Sequence, residues 1–404
     1  MKKNLLVGQS GGPTAAINAT LAGVISAGIK SEEIDTVYGC VNGIKGALSE
    51  NFLNLTEIFE NEDNITLLKQ TPSAYLGSCR YKLSEDSGDI EKIVEVLQKN
   101  NIGYFCYIGG NDSMDTVYKL KDACAKKDIK VMGVPKTIDN DLMGTDHCPG
   151  FGSAAKYIAS TVAEITRDAQ CYNIESVTIV EIMGRNAGWL TAAAALARFT
   201  GTVSPDLIYL PEVAFDIEKF YEDVKKKVDE RQNIIIAVSE GIKDKDGNYI
   251  ADQSQIFKED LFGHSQLGGV GKTLETLIKN KFGIKVRSVE LNTPQRCASH
   301  IASKTDIDES ALIGSKAVEA ALKGESGKMM CYVRTSDKPY SIDVTTMDIE
   351  KIANLEKKIP QDFITPDGCD VTDELIKYIS PLINGENSVV YKNGLPVHLI
   401  RKTN

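Results

Sequence analysis

The chain has 404 residues, 42% hydrophobic and 25% charged, with a formal net charge of −10. That length leaves room for two domains with separate cores, and the acidic balance argues against nucleic acid or an anionic membrane as partner while leaving small phosphates open. No apolar run is long enough to span a bilayer, the start "MKKNLLVGQSGG" lacks a secretory h-region, and nine cysteines without a CxxC pair argue against a disulfide framework or structural zinc, so a cytoplasmic, enzyme-like chain is expected.

In chain order, strands are predicted at Leu5–Val7, Tyr104–Ile108, Val131–Val134, Val177–Ile182, Leu207–Leu210 and Ile234–Val238. Helical stretches such as Ala15–Ala27 and Asp115–Ala125 separate most of them. Near-continuous apolar strands alternating with helices predict an α/β fold with largely parallel sheets. Ligands in such sheets bind beyond the carboxyl ends of the strands, where this chain reads SGG, GGNDS, PKTIDND, MGR, PE and SEG. Any one of these is an ordinary turn; six together mark a site. After about Met329 the pattern changes: two β-rich runs, a charged helix near Ile349–Lys358 and a hairpin at "KNG" read as an appendage.

"GQSGGPTAAINA" sets Gly11 and Gly12 between a strand and a helix starting near Thr14, an arrangement that receives anions. Its spacing is not GxGxxG, so no dinucleotide fingerprint is present. "GGVGKT" resembles a Walker loop, but the position needing glycine is Gln266. In "YIGGNDSM" the bare glycines Gly109 and Gly110 suit a phosphate turn. The loop then continues with Asn111, Asp112 and Ser113, placing a carboxylate where an anion would sit.

"PKTIDND" is the densest segment. Asp139 and Asp141, two apart, share one side of an extended chain. One can take a proton from a hydroxyl nucleophile while the other orients it or helps to position a metal-bound phosphate. Lys136 adds a positive charge and Thr137 a hydroxyl. Only nine arginines occur. Arginine is the bidentate binder of phosphate, so Arg80, Arg185, Arg287 and Arg296, beside loop motifs, are candidate phosphate ligands. Glu240, after a buried strand, suits sugar hydroxyls.

On "SGGPTAAINA", "YLGSCR", "IGGNDS", "PKTIDND", "MGRNAGWL", "LPEVAF", "VSEG" and "PQR", residues Met1–Gly324 resemble the 6-phosphofructokinases in order and spacing. The resemblance implies two doubly wound α/β domains with the site in the cleft between them. Expected boundaries are 1–145 with roughly 255–310 for the donor domain and 146–254 with roughly 311–328 for the sugar-phosphate domain. An extension, 329–404, follows. It implies phosphoryl transfer to the 1-hydroxyl of fructose 6-phosphate with magnesium. Asp139 then looks like the base, with Thr137, Ile138 and Asp141 beside it and Met183, Gly184 and Arg185 contacting substrate. Glu240 looks like a sugar-hydroxyl partner. Arg287 and Arg296 match the 6-phosphate segment, one arginine coming from a neighbouring subunit of a homodimer or homotetramer, while Thr293, also expected at the sugar phosphate, stands where the family often has His or Tyr. Gly11, Gly12, Arg80, Gly110, Ser113 and Lys136 match the donor side.

Two residues address the donor. ATP-using members carry glycine at the positions of Asp112 and, usually, Lys136; diphosphate-using members resemble this chain at both. A carboxylate at Asp112 opposes the α-phosphate of ATP, at a cost on the order of 1 kcal/mol at about 4 Å even in high dielectric. Lys136 favours the compact, highly charged diphosphate. Diphosphate, in a reversible glycolytic reaction, is therefore the expected donor. An ATP-dependent relative and a non-catalytic sugar-phosphate-binding paralogue are the alternatives. The family's aspartate assigned to magnesium is Asn111 here, so the metal is expected at Asn111 or Asp112. A further arginine of the ATP-using bacterial members is Ser176, which thins the 6-phosphate clamp. The effector arginines of the first helix are Ala22 and Ser26, so regulation of that type is not expected.

Overall fold

The computed structural model describes residues 2–84, 87–252 and 269–401. The expected domain segment 255–268, and with it Gln266, lies outside the described residues. Two sheets organise the rest.

The larger sheet contains β1 (Lys3–Gln9), β2 (Ile34–Cys40), β3 (Phe52–Asn54), β4 (Ile102–Gly109) and β5 (Lys130–Pro135). The smaller is built from β6 (Ser176–Ile182), β7 (Leu207–Tyr209), β8 (Asn233–Ser239) and β9 (Lys285–Glu290). Two later strands, β10 (Lys328–Asp337) and β11 (Tyr340–Asp348), return to the larger sheet, giving the order β11-β10-β5-β4-β1-β2-β3. The run from β10 to β2 is parallel; β11 and β3 are antiparallel at the edges. The smaller sheet is wholly parallel in the order β7-β8-β6-β9. Both sheets carry separate apolar cores on their two faces, as the continuous apolar strands require.

The sheets draw the domain boundaries differently from the sequence. β9, expected in the donor domain, pairs with β6 in the smaller sheet. The helix Lys304–Leu322, expected largely with the sugar-phosphate domain, lies on the larger one. There it crosses the helix Ile17–Lys30 backbone to backbone: a Cβ on Gly23 would stand 2.0 Å from Ala311 O, and one on Gly314 would stand 2.1 Å from Thr20 O. Two glycines facing each other thus allow a close approach that larger residues forbid.

The segment after Met329 is not an appendage. Met329 through Tyr332 are buried in the larger domain, because β10 pairs with β5 and covers what would be a bare edge. The charged helix expected near Ile349–Lys358 is a single turn, Ile349–Lys351. An extended strap follows, and Ile359, Ile364, Val371, Leu375, Ile379 and Leu382 then join the core beneath the smaller sheet. The "KNG" hairpin is present, with Asn393 and Gly394 both left-handed between strands Tyr391–Lys392 and Leu395–Pro396. No helix among the described residues is long and apolar enough to cross a membrane.

Candidate active site

The carboxyl ends of β1, β4 and β5 lie side by side, since these strands are adjacent and parallel. They deliver Ser10–Thr14, Gly110–Ser113 and Lys136–Asp141 to one wall of a cleft of about 460 Å³. β6 and β8, also adjacent and parallel, deliver Met183, Arg185 and Glu240 to the opposite wall. Arg80 and Arg296 complete the set of expected residues in the lining.

The GGND turn is built differently from the loop expected. The helix begins at Asn111, not Asp115, so Asn111 and Asp112 occupy its first turn with Gly110 as its cap. A carboxylate in a first helical turn is favoured by the helix dipole, which gives Asp112 a local reason to exist. Gly109 is required sterically: a Cβ there would fall 1.9 Å from Ser113 Oγ. The buried Oδ1 of Asn111 has no hydrogen-bond partner.

Lys136 is only 3% exposed. Its backbone N–H donates to Gly109 O (2.9 Å), and its Nζ donates to Gly12 O (2.6 Å). Burial pushes this ammonium down to about 8, with Asp139 and Asp141 opposing that shift. Asp139 moves the other way, to about 7, because it is desolvated and faces the charges of Asp141 and Glu240. Asp141 and Glu240 are raised too, first by burial. Both aspartates line the cleft, but not by the extended alternation expected. Asn140 between them is left-handed (φ 53°), and its Oδ1 accepts from Cys148 N at 2.9 Å, folding the segment into a closed loop.

Gly184 takes φ 127°, and a Cβ there would stand 2.6 Å from Ala187 O. It does not line the cleft; its N–H donates to Glu240 Oε1 (3.4 Å) and its carbonyl accepts from Ser239 Oγ (2.6 Å), turning Met183 and Arg185 toward it. The Nε atoms of Arg185 and Arg296 are buried without hydrogen-bond partners. Arg296, expected with the sugar phosphate, stands near the donor loop: its Nη1 is 3.4 Å from where a Cβ on Gly12 would be.

Two expected residues are elsewhere. Arg287, on edge strand β9, pairs with Asp168 at 3.3 Å, its side chain 41% exposed. It does not line the cleft of its own chain. Thr293 is exposed and also outside the lining. The Walker-like Gly271 and Lys272 fall inside the helix Val270–Phe282, where Gly271 N donates to Glu181 Oε2 (2.7 Å), away from the cleft. Several lining residues were not predicted as ligands: Ser10, Thr14, Cys79, Tyr81, Asn186 and Glu356. Ser10, Thr14, Cys79 and Asn186 lie within recognised motifs and Tyr81 adjoins one, so all five could have been found from them. Glu356 carries no local motif.

The family description "Phosphofructokinase" matches residues 4–358. A relative from Methylococcus capsulatus, named pyrophosphate–fructose 6-phosphate 1-phosphotransferase, is 41% identical over 98% of this chain and 94% of its own. One of the same name from Xanthomonas campestris is 42% identical, covering 99% and 96%. The crystal structure of a pyrophosphate-dependent phosphofructokinase from Nitrosospira multiformis superposes with a TM-score of 0.88 at 38% identity, covering 100% of this chain and 99% of that one.

Proposed function

The chain belongs to the phosphofructokinase family, and from that premise we propose that it transfers a phosphoryl group from diphosphate to the 1-hydroxyl of fructose 6-phosphate. The products are fructose 1,6-bisphosphate and orthophosphate. The carrying observation is the meeting of Lys136 and Asp139 in one cleft, with Asp112 in the helix turn beside them. The names borne by near-full-length relatives point the same way.

Asp139 takes the proton of the sugar's 1-hydroxyl; an affinity near neutrality suits a base at cellular pH. The freed oxygen attacks the terminal phosphorus of diphosphate, and the bridging P–O bond breaks with its electrons leaving on orthophosphate. Phosphoryl transfer depends mainly on positioning and charge. Lys136 and Arg185 supply positive charge at the transferred group, and Gly11, Gly12, Arg80, Gly110 and Ser113 hold the donor. Thr137, Ile138, Asp141, Met183 and Glu240 orient the sugar. Because the leaving group is orthophosphate rather than a nucleotide, the reaction runs usefully both ways, in glycolysis or against it.

Magnesium fits the donor side. The orphaned Asn111 Oδ1 is an oxygen ligand without another partner. Among the described residues no cluster of three or more His, Cys, Asp or Glu could hold a metal, and magnesium commonly takes one or two protein oxygens, with phosphate and water filling the rest. Asn111 and Asp112 would hold it, and it would neutralise diphosphate charge. Arg287 is displayed outward on β9, available to the 6-phosphate in the cleft of a second copy of a homodimer or homotetramer. All nine cysteines are unpaired, which suits a cytoplasmic location.

The test is a coupled assay with each donor. Diphosphate is expected to support turnover far better than ATP; strong ATP turnover without diphosphate turnover would sink this reading.

A further inference from the structure

We propose that Lys357 is a positioning residue for phosphoryl transfer: from the strap beside the cleft, it fixes the loop carrying Asp139 and Asp141 against the layer carrying Arg185. The inference rests on the reading of Asp139 as the base.

The strap reaches the cleft, where Glu356 is part of the lining. Glu356 forms an isolated antiparallel bridge with Leu142, immediately after the acidic loop. Its Oε1 accepts from Asn186 Nδ2 (2.8 Å), the neighbour of Arg185. Lys357 engages both sides with every polar group it has. Its backbone N–H donates to Asp141 O (2.7 Å). Its Nζ donates to Asp146 O (2.6 Å) and Thr145 O (3.2 Å), where the loop turns back. Its carbonyl accepts from Trp189 Nε1 (3.0 Å), and Nζ stands 5.2 Å from the centre of that indole. Trp189 opens the short helix that follows the Arg185 loop.

The ammonium has no carboxylate within 4 Å among the described residues, and burial depresses its proton affinity. A buried cation satisfied only by carbonyls and an aromatic face is expensive to desolvate. Methionine would fill similar space without that cost. What methionine cannot do is hold two carbonyls of the acidic loop while facing an indole of the other layer. Small displacements of a base lose large factors in rate, so Lys357 acts on turnover through Asp139 without touching substrate.

The experiment compares Lys357→Met, Lys357→Gln and Asp139→Asn with the unaltered full chain, using diphosphate and fructose 6-phosphate. Trp189, the chain's single tryptophan, reports the strap by its emission. Lys357→Met is expected to lower kcat at least tenfold, leave both KM values within about twofold, and shift the Trp189 emission. Lys357→Gln, which can still donate to one carbonyl, recovers part of kcat. A Lys357→Met enzyme with altered emission but kcat within twofold overturns the proposal, as does a raised KM at unchanged kcat. If Lys357→Met fails to fold, Lys357→Gln decides by the same kcat criterion. Asp139→Asn turnover at the unaltered rate would instead overturn the assignment of the base.

Discussion

The Nζ of Lys136 donates to the carbonyl of Gly12 at 2.6 Å, so one buried ammonium joins the loop after β5 to the loop after β1. That carbonyl is an uncharged acceptor for the cation. A bound diphosphate offers stronger, charged acceptors. Replacing Lys136 by methionine keeps bulk and removes charge. It is expected to lower kcat with diphosphate by about 10²–10³-fold, the range for losing a charge-stabilising donor. Steady-state kinetics on the folded variant checks this.

On the proposed function, Asp112 and Lys136 act on donor choice from opposite directions, one repelling a nucleotide and one attracting diphosphate. The double variant Asp112→Gly with Lys136→Gly is expected to raise the ratio of ATP to diphosphate turnover at least tenfold, the equivalent of about 1.4 kcal/mol. Asp112 also sits in a helical first turn, so Asp112→Gly is expected to lower stability by roughly 0.5–1 kcal/mol. Parallel assays with both donors and a thermal melt separate the two effects. An unchanged donor ratio removes Asp112 from the specificity account.

The pH profile follows from two buried groups. As the proposed base, Asp139 must lose its proton and is raised to about 7; as the proposed cation, Lys136 must keep its proton and is lowered to about 8. The profile of kcat/KM is therefore expected to be a narrow bell with its top between those values, and Asp139→Asn should lose nearly all turnover. The stability effect has the opposite sense from that of an ordinary surface aspartate. The folded state holds the Asp139 proton through a window, about pH 4 to 7, in which the unfolded chain has released it. Stability from this group is present below that window and is lost as pH rises through it. Asp139→Asn is therefore expected to raise the melting temperature at pH 8 and change it little at pH 4.5, as calorimetry at the two pH values would show.

Gly241 packs against the Arg185 loop so closely that a Cβ would stand 1.8 Å from Arg185 O. A backbone oxygen cannot swing aside as a side chain can. Gly241→Ala must therefore displace the loop, and kcat is expected to fall at least tenfold, with about 1–3 kcal/mol lost from stability. A denaturant titration beside the kinetics checks both; an alanine enzyme with unaltered kcat would remove Arg185 from the transfer step.

The parts of the site legible in the sequence were those where strand, turn and charge coincide. Lys136, Met183 and Glu240 each follow directly on a buried parallel strand, Asp139 comes three residues after Lys136, and the rule that ligands gather at such ends locates them without a structure. The start of the helix at Asn111 was hidden because glycines followed by Asn and Asp read equally as a loop. β9 was missed because its edge position lets polar residues interrupt it, as "KVRSVE" does. Nothing near Glu356 or Lys357 announces a role in the site. Their function comes from a crossing between two layers, made more than 200 residues after the loop they meet.

β10 beside β5 also sets a timetable. Until residues beyond Lys328 have been made, the strand that ends in Pro135 has nothing to pair with on its outer side. A growing chain on the ribosome therefore carries an unpaired, apolar margin next to Lys136 for nearly half of its synthesis. That is the interval in which a nascent chain is most open to sticking to its neighbours, and it ends only when the last fifth of the polypeptide emerges.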